Sequence, residues 1–348
     1  MVTLYHWDLP YALYLQGGWK NPQIPDWFAA YTKIVVEALS DQVQYWMTLN
    51  EPQCFVGIGH LQGRHAPFLD EPASLRPVTR HVLLAHAKAV QTIRQYAKLP
   101  PKVGYAPTGP VFSPCGDESE AAIAEAYRRT MEVEGCYSIS WWCDPVLLGR
   151  VPEPMAKALG ADVFTPQELE LLHQPLDYLG FNVYNACAAQ QPGSEYTANT
   201  WQGSPRTAME WPITPDCIYW AIRFLNQRYG RPILITENGM ANTDFVMLDG
   251  KVHDPQRIDY VHRHLLAARR ALQEGYPLIG YTYWSIMDNY EWAEGYSKRF
   301  GLIYVDYRTM ERIPKDSAAW YAHVIATTAA SCKMQNICQG EALRRASP

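Results

Sequence analysis

The sequence predicts an α/β fold of the (β/α) barrel type, and three observations predict it. Short apolar runs alternate with amphipathic helical patterns, an order that implies a parallel sheet with right-handed crossovers. The runs end in polar groups: His6, Asn50 with Glu51, Asn182 to Tyr184, Glu237, and Trp284 with Ser285. Polar groups at the carboxyl ends of several strands are what a (β/α) barrel presents. No Gly-x-Gly-x-x-Gly follows any of these runs, which disfavours a doubly wound open sheet.

The elements follow in order. Residues 1–6 read as a strand. A helix starts at Asp26, a candidate N-cap, with Trp27, Phe28, Tyr31, Ile34, Val35 and Leu39 on one apolar face. Residues 43–50 form the next strand, and 80–98 a helix with Val82, Leu83, Ala89, Val90, Ile93 and Ala97 in register. Residues 102–106 are a third strand. Residues 118–134 and 136–148 are helical, with Gly135 between them, and 177–184 is a fourth strand. Thr214-Pro215 opens a helix through Ile218, Ala221, Ile222 and Leu225 that Gly230 ends. Residues 232–237 are a fifth strand. Asp254-Pro255 repeats the cap-and-proline start, with Ile258, Val261, Leu265 and Leu272 inward and Gly275 as the stop. Residues 278–285 are a sixth strand, and a last helix covers about 316–327. The pattern yields six strand–helix units rather than the eight of a closed barrel.

No internal repeat or Pro/Gly/Ser linker divides the chain, so residues 1–330 read as one domain. Residues 331–348 are polar, carry Arg344-Arg345 and lack a helical stripe, the composition of a disordered tail. The formal net charge of −5 over 348 residues sets up no strong field for nucleic acid or an anionic membrane. No run reaches the ~18 apolar residues of a membrane span. The first residues lack the basic and apolar regions of a signal peptide. Eight cysteines are scattered without a Cys-x-x-Cys pair, and are expected to be reduced thiols in a cytoplasmic protein. The aromatic share is 13%, with 12 Trp and 23 Tyr. That suits either a large core or sugar binding, since flat ring faces stack on aromatic side chains.

Two glutamates stand where an apolar run gives way to a loop: Glu51 in Thr48-Leu49-Asn50-Glu51-Pro52 and Glu237 in Ile235-Thr236-Glu237-Asn238-Gly239. Two carboxyl groups flanking one bond are what cleavage of a glycosidic linkage requires, ~5–5.5 Å apart when configuration is retained. One must stay protonated near neutral pH and the other ionised. Asn50 is a natural donor beside Glu51, and Tyr184 is placed to donate to Glu237. A single such glutamate would be read as a solvated loop charge; the two motifs together point to a catalytic pair.

The ordered motifs identify a resemblance to glycoside hydrolase family 1, the β-glucosidase and β-galactosidase family. They are Val2-Thr3-Leu4-Tyr5-His6-Trp7-Asp8-Leu9-Pro10, Gly17-Gly18-Trp19, the two glutamate motifs, and Leu179-Gly180-Phe181-Asn182-Val183-Tyr184. The longest runs from Trp284 to Tyr296 through Met287-Asp288-Asn289-Tyr290-Glu291-Trp292, followed by Lys298-Arg299-Phe300-Gly301. The resemblance spans residue 2 to about 327. It implies a (β/α)8 TIM-barrel relative that hydrolyses terminal β-linked sugars through a covalent glycosyl-enzyme, without metal or organic cofactor. Glu51 is then the acid/base, Glu237 the nucleophile and Tyr184 its partner. By the same resemblance His6, Asn50 and Asn182 hold sugar hydroxyls, and Trp284 is the platform under the ring. Glu291 and Trp292 bind the hydroxyls farthest from the scissile bond, Phe300 closes that end, and Trp211 walls the leaving group. A glutamate at 291 would repel a 6-phosphate, which favours unphosphorylated glycosides. The implied partner is a small β-glucoside or oligosaccharide, with neither nucleic acid nor membrane.

The match begins at what resembles the family's third barrel strand. The first-strand Gln that ligates sugar hydroxyls and the second-strand Arg beside the nucleophile have no counterpart in it. The expectation is an incomplete barrel with two open sheet edges, suited to a homo-oligomer through those edges. The alternative reading is a catalytically impaired sugar-binding fragment that needs a partner chain to complete the barrel.

Overall fold

The computed structural model describes residues 1–189 and 203–331. The strands are β1 (Val2–Tyr5), β2 (Tyr45–Asn50), β3 (Lys102–Ala106), β4 (Val111–Ser113), β5 (Leu179–Asn182), β6 (Ala186–Ala188), β7 (Ile233–Asn238), β8 (Leu278–Tyr283), β9 (Ile303–Val305) and β10 (Arg312–Pro314). The helices are α1 (Tyr11–Tyr14), α2 (Ile24–Leu39), α3 (Leu75–Tyr96), α4 (Glu120–Met131), α5 (Ile139–Leu147), α6 (Glu153–Leu159), α7 (Pro166–Leu172), α8 (Cys217–Tyr229), α9 (Pro255–Gln273) and α10 (Asp316–Ser331). The six strands expected from the apolar runs are β1, β2, β3, β5, β7 and β8. The chain folds as two compact units, one of Met1–Pro110 with Tyr127–Asn182, the other of Val111–Ala126 with Val183 onward.

In the first unit β1, β2 and β3 form a parallel sheet in that order, with Tyr5 opposite Leu49 and Tyr45 opposite Lys102. β5 runs beside β3, tied by Asp177 N to Val103 O at 2.8 Å and Asn182 N to Pro107 O at 3.0 Å. Trp46, Leu49, Val103 and Phe181 are fully buried between sheet and helices, and the buried Tyr178 hydroxyl donates to Trp46 O at 2.9 Å. The inward residues expected of α3, Val82, Leu83, Ala89, Val90 and Ile93, are all buried, while Ala97 lies past the last turn. The helix begins five residues earlier than its pattern suggests. Pro77 falls in its first turn, where a missing N–H breaks no bond.

The inward face of α2 differs from the sequence expectation. Its buried residues are Ile24, Pro25, Phe28, Thr32 and Val36, whereas Tyr31 is 46% exposed, Ile34 68% and Leu39 41%. Thr32 turns inward at little penalty because its hydroxyl donates to Phe28 O at 2.8 Å, so a polar residue occupies a core position. Asp26 is not the cap either: it lies inside the first turn and pairs with Lys88.

In the second unit β7 and β8 are parallel, with Ile235 opposite Tyr281. Met240, Tyr260, Val261 and Tyr283 form a core cluster against which Leu265 and Trp320 pack. Of the residues expected inward on α9, Val261 is buried; Ile258, Leu265 and Leu272 are half-buried, and Arg257, Tyr260 and His264 take the deepest positions. α8 starts at Cys217, not at Pro215, because Thr214 is engaged elsewhere: its hydroxyl accepts from Ala186 N at 2.7 Å. Gly230 closes this helix at φ 60°, a left-handed position glycine adopts without strain. Short pairs escaped the sequence reading: β4 with β6 in parallel and β9 with β10 antiparallel. The expected tail lies, from residue 332 on, outside the described residues. No helix among the described residues is long and apolar enough to cross a membrane.

Candidate active site

In the first unit, four predicted residues gather at the ends of β1, β2 and β5. Asn50 ends β2, and its carbonyl accepts from Trp7 Nε1 at 3.2 Å. Its side-chain amide lies 3.3 Å from His6 Nε2. Asn182 ends β5 and donates from one amide nitrogen to Asn50 Oδ1 at 3.0 Å and to Glu51 Oε1 at 2.8 Å. Glu51 is only 7% exposed, its backbone N–H donating to Ala106 O at 2.7 Å. Its φ of 44° is a left-handed value that a non-glycine residue holds at a cost of about 1–3 kcal/mol. The surrounding ladder and amide bonds fix that turn. Burial raises the Glu51 pKa, and hydrogen bonds from Cys54 and Asn182 oppose it without cancelling it. Burial also lowers His6 to about 4, against the pull of Asp8. The imidazole is therefore neutral at pH 7 and can either donate or accept.

In the second unit, Glu237 lies near the end of β7 and Tyr184 donates its hydroxyl to Glu237 Oε2 at 2.7 Å. The Tyr184 ring lies 5.1 Å from Trp211 and 6.2 Å from Phe300, so three predicted residues form one aromatic group beside the carboxylate. Phe300 is buried, and its ring centre is 6.1 Å from that of Trp211. The next residue of the motif, Asn238, is fully buried. It donates to Val183 O at 2.7 Å, accepts from Tyr281 at 2.7 Å through Oδ1, and through its carbonyl takes Trp284 N at 2.9 Å. Asn238 therefore anchors both the Glu237 strand end and the start of the Trp284 loop. Sequence reasoning quoted it in the motif without giving it a role. Gly239 follows because nothing larger fits: a Cβ there would stand 2.0 Å from the Trp284 carbonyl oxygen. The loop after β8 carries Glu291, whose Oε2 accepts from Asn289 Nδ2 at 3.2 Å; Asn289 Oδ1 in turn accepts from Ser285 at 3.1 Å. Trp292, at φ 45°, is the second strained residue of the predicted set.

A buried ion cluster underlies these loops, and sequence reasoning missed it. Arg257 and Lys315 are both within 1% of full burial. Arg257 donates to Asp244 Oδ2 at 2.6 Å and also pairs with Asp254. Lys315 donates to Asp244 at 2.6 Å and to Asp288 at 2.8 Å, and Arg299 reaches Asp288 Oδ2 at 2.6 Å. Burial pushes Asp244 up, but Arg257 and Lys315 outweigh it and hold its carboxyl below the usual range. For Lys315, burial and Arg257 win, and its pKa falls despite Asp244 and Asp288. Three carboxylates and three cations balance, which lets the group be buried at all.

One unit thus carries a buried carboxyl whose pKa burial raises and the other a carboxyl with a phenol donor, each at the end of a parallel strand. Two such carboxyls are the equipment of a glycosidase on a (β/α) scaffold. The comparisons with known proteins agree. The profile of glycosyl hydrolase family 1 matches residues 1–330. Beta-glucosidase A of Thermotoga maritima is 40% identical over 331 residues, covering 93% of this chain and 72% of the relative. The bifunctional beta-D-glucosidase/beta-D-fucosidase of Bifidobacterium breve is 38% identical, covering 94% and 74%. A solved structure of the Thermotoga maritima beta-glucosidase in complex with glucoimidazole superposes with a TM-score of 0.83 at 39% identity, over 94% of this chain and 73% of that one.

The chain belongs to glycosyl hydrolase family 1. It is an O-glycoside hydrolase of a retaining family, and its fold class is the family's (β/α)8 TIM barrel, of which the described residues supply six β/α units.

Proposed function

We propose that this chain releases terminal β-linked glucose from small glucosides and oligosaccharides, with Glu51 as acid/base and Glu237 as nucleophile. Glu237 attacks the anomeric carbon while Glu51 protonates the departing oxygen; water, deprotonated by Glu51, then cleaves the glycosyl-enzyme. The observation that carries the reading is the contrast between the two carboxyls. Glu51 is buried with a raised pKa, as a proton donor requires, and Glu237 takes a phenol hydrogen bond on one oxygen, as an anionic nucleophile requires. The names of the relatives support glucose as the sugar. His6, Asn50 and Asn182 supply amide and imidazole contacts to sugar hydroxyls. Trp284 is the platform under the ring, Glu291 and Trp292 hold the hydroxyls farthest from the scissile bond, Phe300 backs that end, and Trp211 faces the leaving group. The substrate is unphosphorylated, because the Glu291 carboxylate would oppose a phosphate dianion.

The pH profile tests the acid assignment. Glu51 works when protonated, so kcat/KM falls as pH rises through its pKa. Because burial raises that pKa, the alkaline limb is expected above the ordinary carboxylate value of 4.5. Glu51→Gln, assayed with a dinitrophenyl glucoside whose leaving group needs no proton, is expected to lose that limb. A limb unchanged in the variant assigns it to another group.

The reading extends to assembly and compartment. β1 is an edge of its sheet among the described residues, and α2 exposes Tyr31 and Ile34 on the same unit. An unpaired edge and an apolar helix face together suit a second copy of the chain. Sedimentation is expected to show a dimer that Ile34→Lys converts to monomer; a monomeric parent chain would remove this part. A reducing compartment such as the cytoplasm suits six cysteines that form no disulfide among the described residues.

A further inference from the structure

We infer that Lys315 is a positioning residue for the sugar-binding loop after β8, acting through Asp288 and Asn289 on Glu291. The inference rests on the proposed role of Glu291 and adds the device that aims it. Lys315 is the residue immediately before α10 and lies outside every motif that carries the family resemblance. Its ammonium is fully buried and donates to one oxygen each of Asp244 and Asp288, at 2.6 and 2.8 Å. Asp244 belongs to the connection that follows the Glu237 strand, and Asp288 to the connection that follows the Trp284 strand. A single cation therefore ties the two loops to each other. Its own backbone N–H donates to Leu302 O at 3.0 Å, which fixes Lys315 to the far end of the second loop.

Asp288 is held on all sides. Its Oδ1 also accepts from Gly301 N at 3.0 Å, and its Oδ2 accepts from Arg299 at 2.6 Å. Gly301 has no room for a side chain there, since a Cβ would lie 2.1 Å from Asp288 N. With Asp288 pinned, the backbone of Asn289 is set. The Asn289 amide then bridges Ser285 and Glu291, at 3.1 and 3.2 Å. The path from Lys315 to the Glu291 carboxylate is two hydrogen bonds joined by the Asp288–Asn289 peptide link, with Asp288 buried and Asn289 half-buried. Removing the ammonium leaves the buried Asp244 with Arg257 and Asp288 with Arg299, but it cuts the tie between the two loops and lets Glu291 shift from its place.

The test compares an aryl β-glucoside with its 4-deoxy and 6-deoxy counterparts, which lack the hydroxyls Glu291 is proposed to bind. Lys315→Met is expected to lower kcat/KM on the parent glucoside by about tenfold or more, and on the deoxy substrates by less than about threefold. Asn289→Ala is expected to repeat that pattern. The double variant Lys315→Met/Asp288→Asn removes one charge of each sign, so it gives the comparison if the single variant does not fold. Equal losses on parent and deoxy substrates in Asn289→Ala and either lysine variant would reduce Lys315 to a purely structural role and overturn the inference. An unmutated chain that does not distinguish parent from deoxy substrates would instead overturn the role of Glu291 itself.

Discussion

Glu237→Gln is expected to lose hydrolysis of aryl β-glucosides by at least about a thousandfold, with the fold intact by circular dichroism. The amide keeps the size of the carboxylate and can still accept from Tyr184 through its oxygen. It removes only the charge and the nucleophilic lone pair. Without a nucleophile no glycosyl-enzyme forms, so the loss is the same for good and poor leaving groups. Glu51→Gln behaves differently. It is expected to lose a few hundredfold or more on alkyl glucosides, whose leaving oxygen needs a proton, and to form the intermediate readily from a dinitrophenyl glucoside. Glycosylation then outruns hydrolysis, and a burst of nitrophenol appears. Equal losses in the two variants on both substrates would show that the carboxyls do not divide the work as assigned.

Arg257→Met is expected to lower the stability of the folded chain by about 3–5 kcal/mol, read as a lower urea midpoint. The side chain is fully buried and pairs with Asp244 and Asp254; Asp254 also takes Ser317 N at 2.9 Å and Ser317 Oγ at 2.6 Å. Methionine fills a similar volume but leaves two buried carboxylates short of a cation. The Arg257→Met/Asp254→Asn pair is expected to recover part of the loss, since it restores charge balance. A change under 1 kcal/mol in the single variant would mean that Lys315 satisfies Asp244, and Ser317 satisfies Asp254, without the guanidinium.

Much of this arrangement is visible in the sequence because burial and function use different residue types at adjacent positions. A strand buried on both faces reads as an apolar run, and its functional end reads as a sudden polar group. Asn50-Glu51 after Tyr45–Leu49 and Glu237-Asn238 after Ile233–Ile235 show both at once. The six strands and the helices following β7 and β8 were legible for that reason. The face of α2 was not, since Thr32 reads as a surface residue, yet it satisfies its hydroxyl within the helix and takes a core position. Arg257 was invisible for the opposite reason. A charged residue on a helix reads as solvated unless its partners are known, and those partners, Asp244 and Asp254, come from a loop and a helix cap. Strands of three residues, such as β4 and β6, are too short to show alternation and are held by side chains such as Thr214.

Glucose carrying fluorine at carbon 2 and a good leaving group at carbon 1 tests the central claim most directly. Fluorine slows both steps by destabilising the oxocarbenium-like transition state, while the activated leaving group keeps the first step fast, so the glycosyl-enzyme accumulates. Peptide mapping by mass spectrometry after this treatment is expected to find one fluoroglucosyl group per chain, on Glu237. The same adduct on another carboxylate, or a chain that turns over unlabelled glucoside yet never acquires the adduct, would contradict the account.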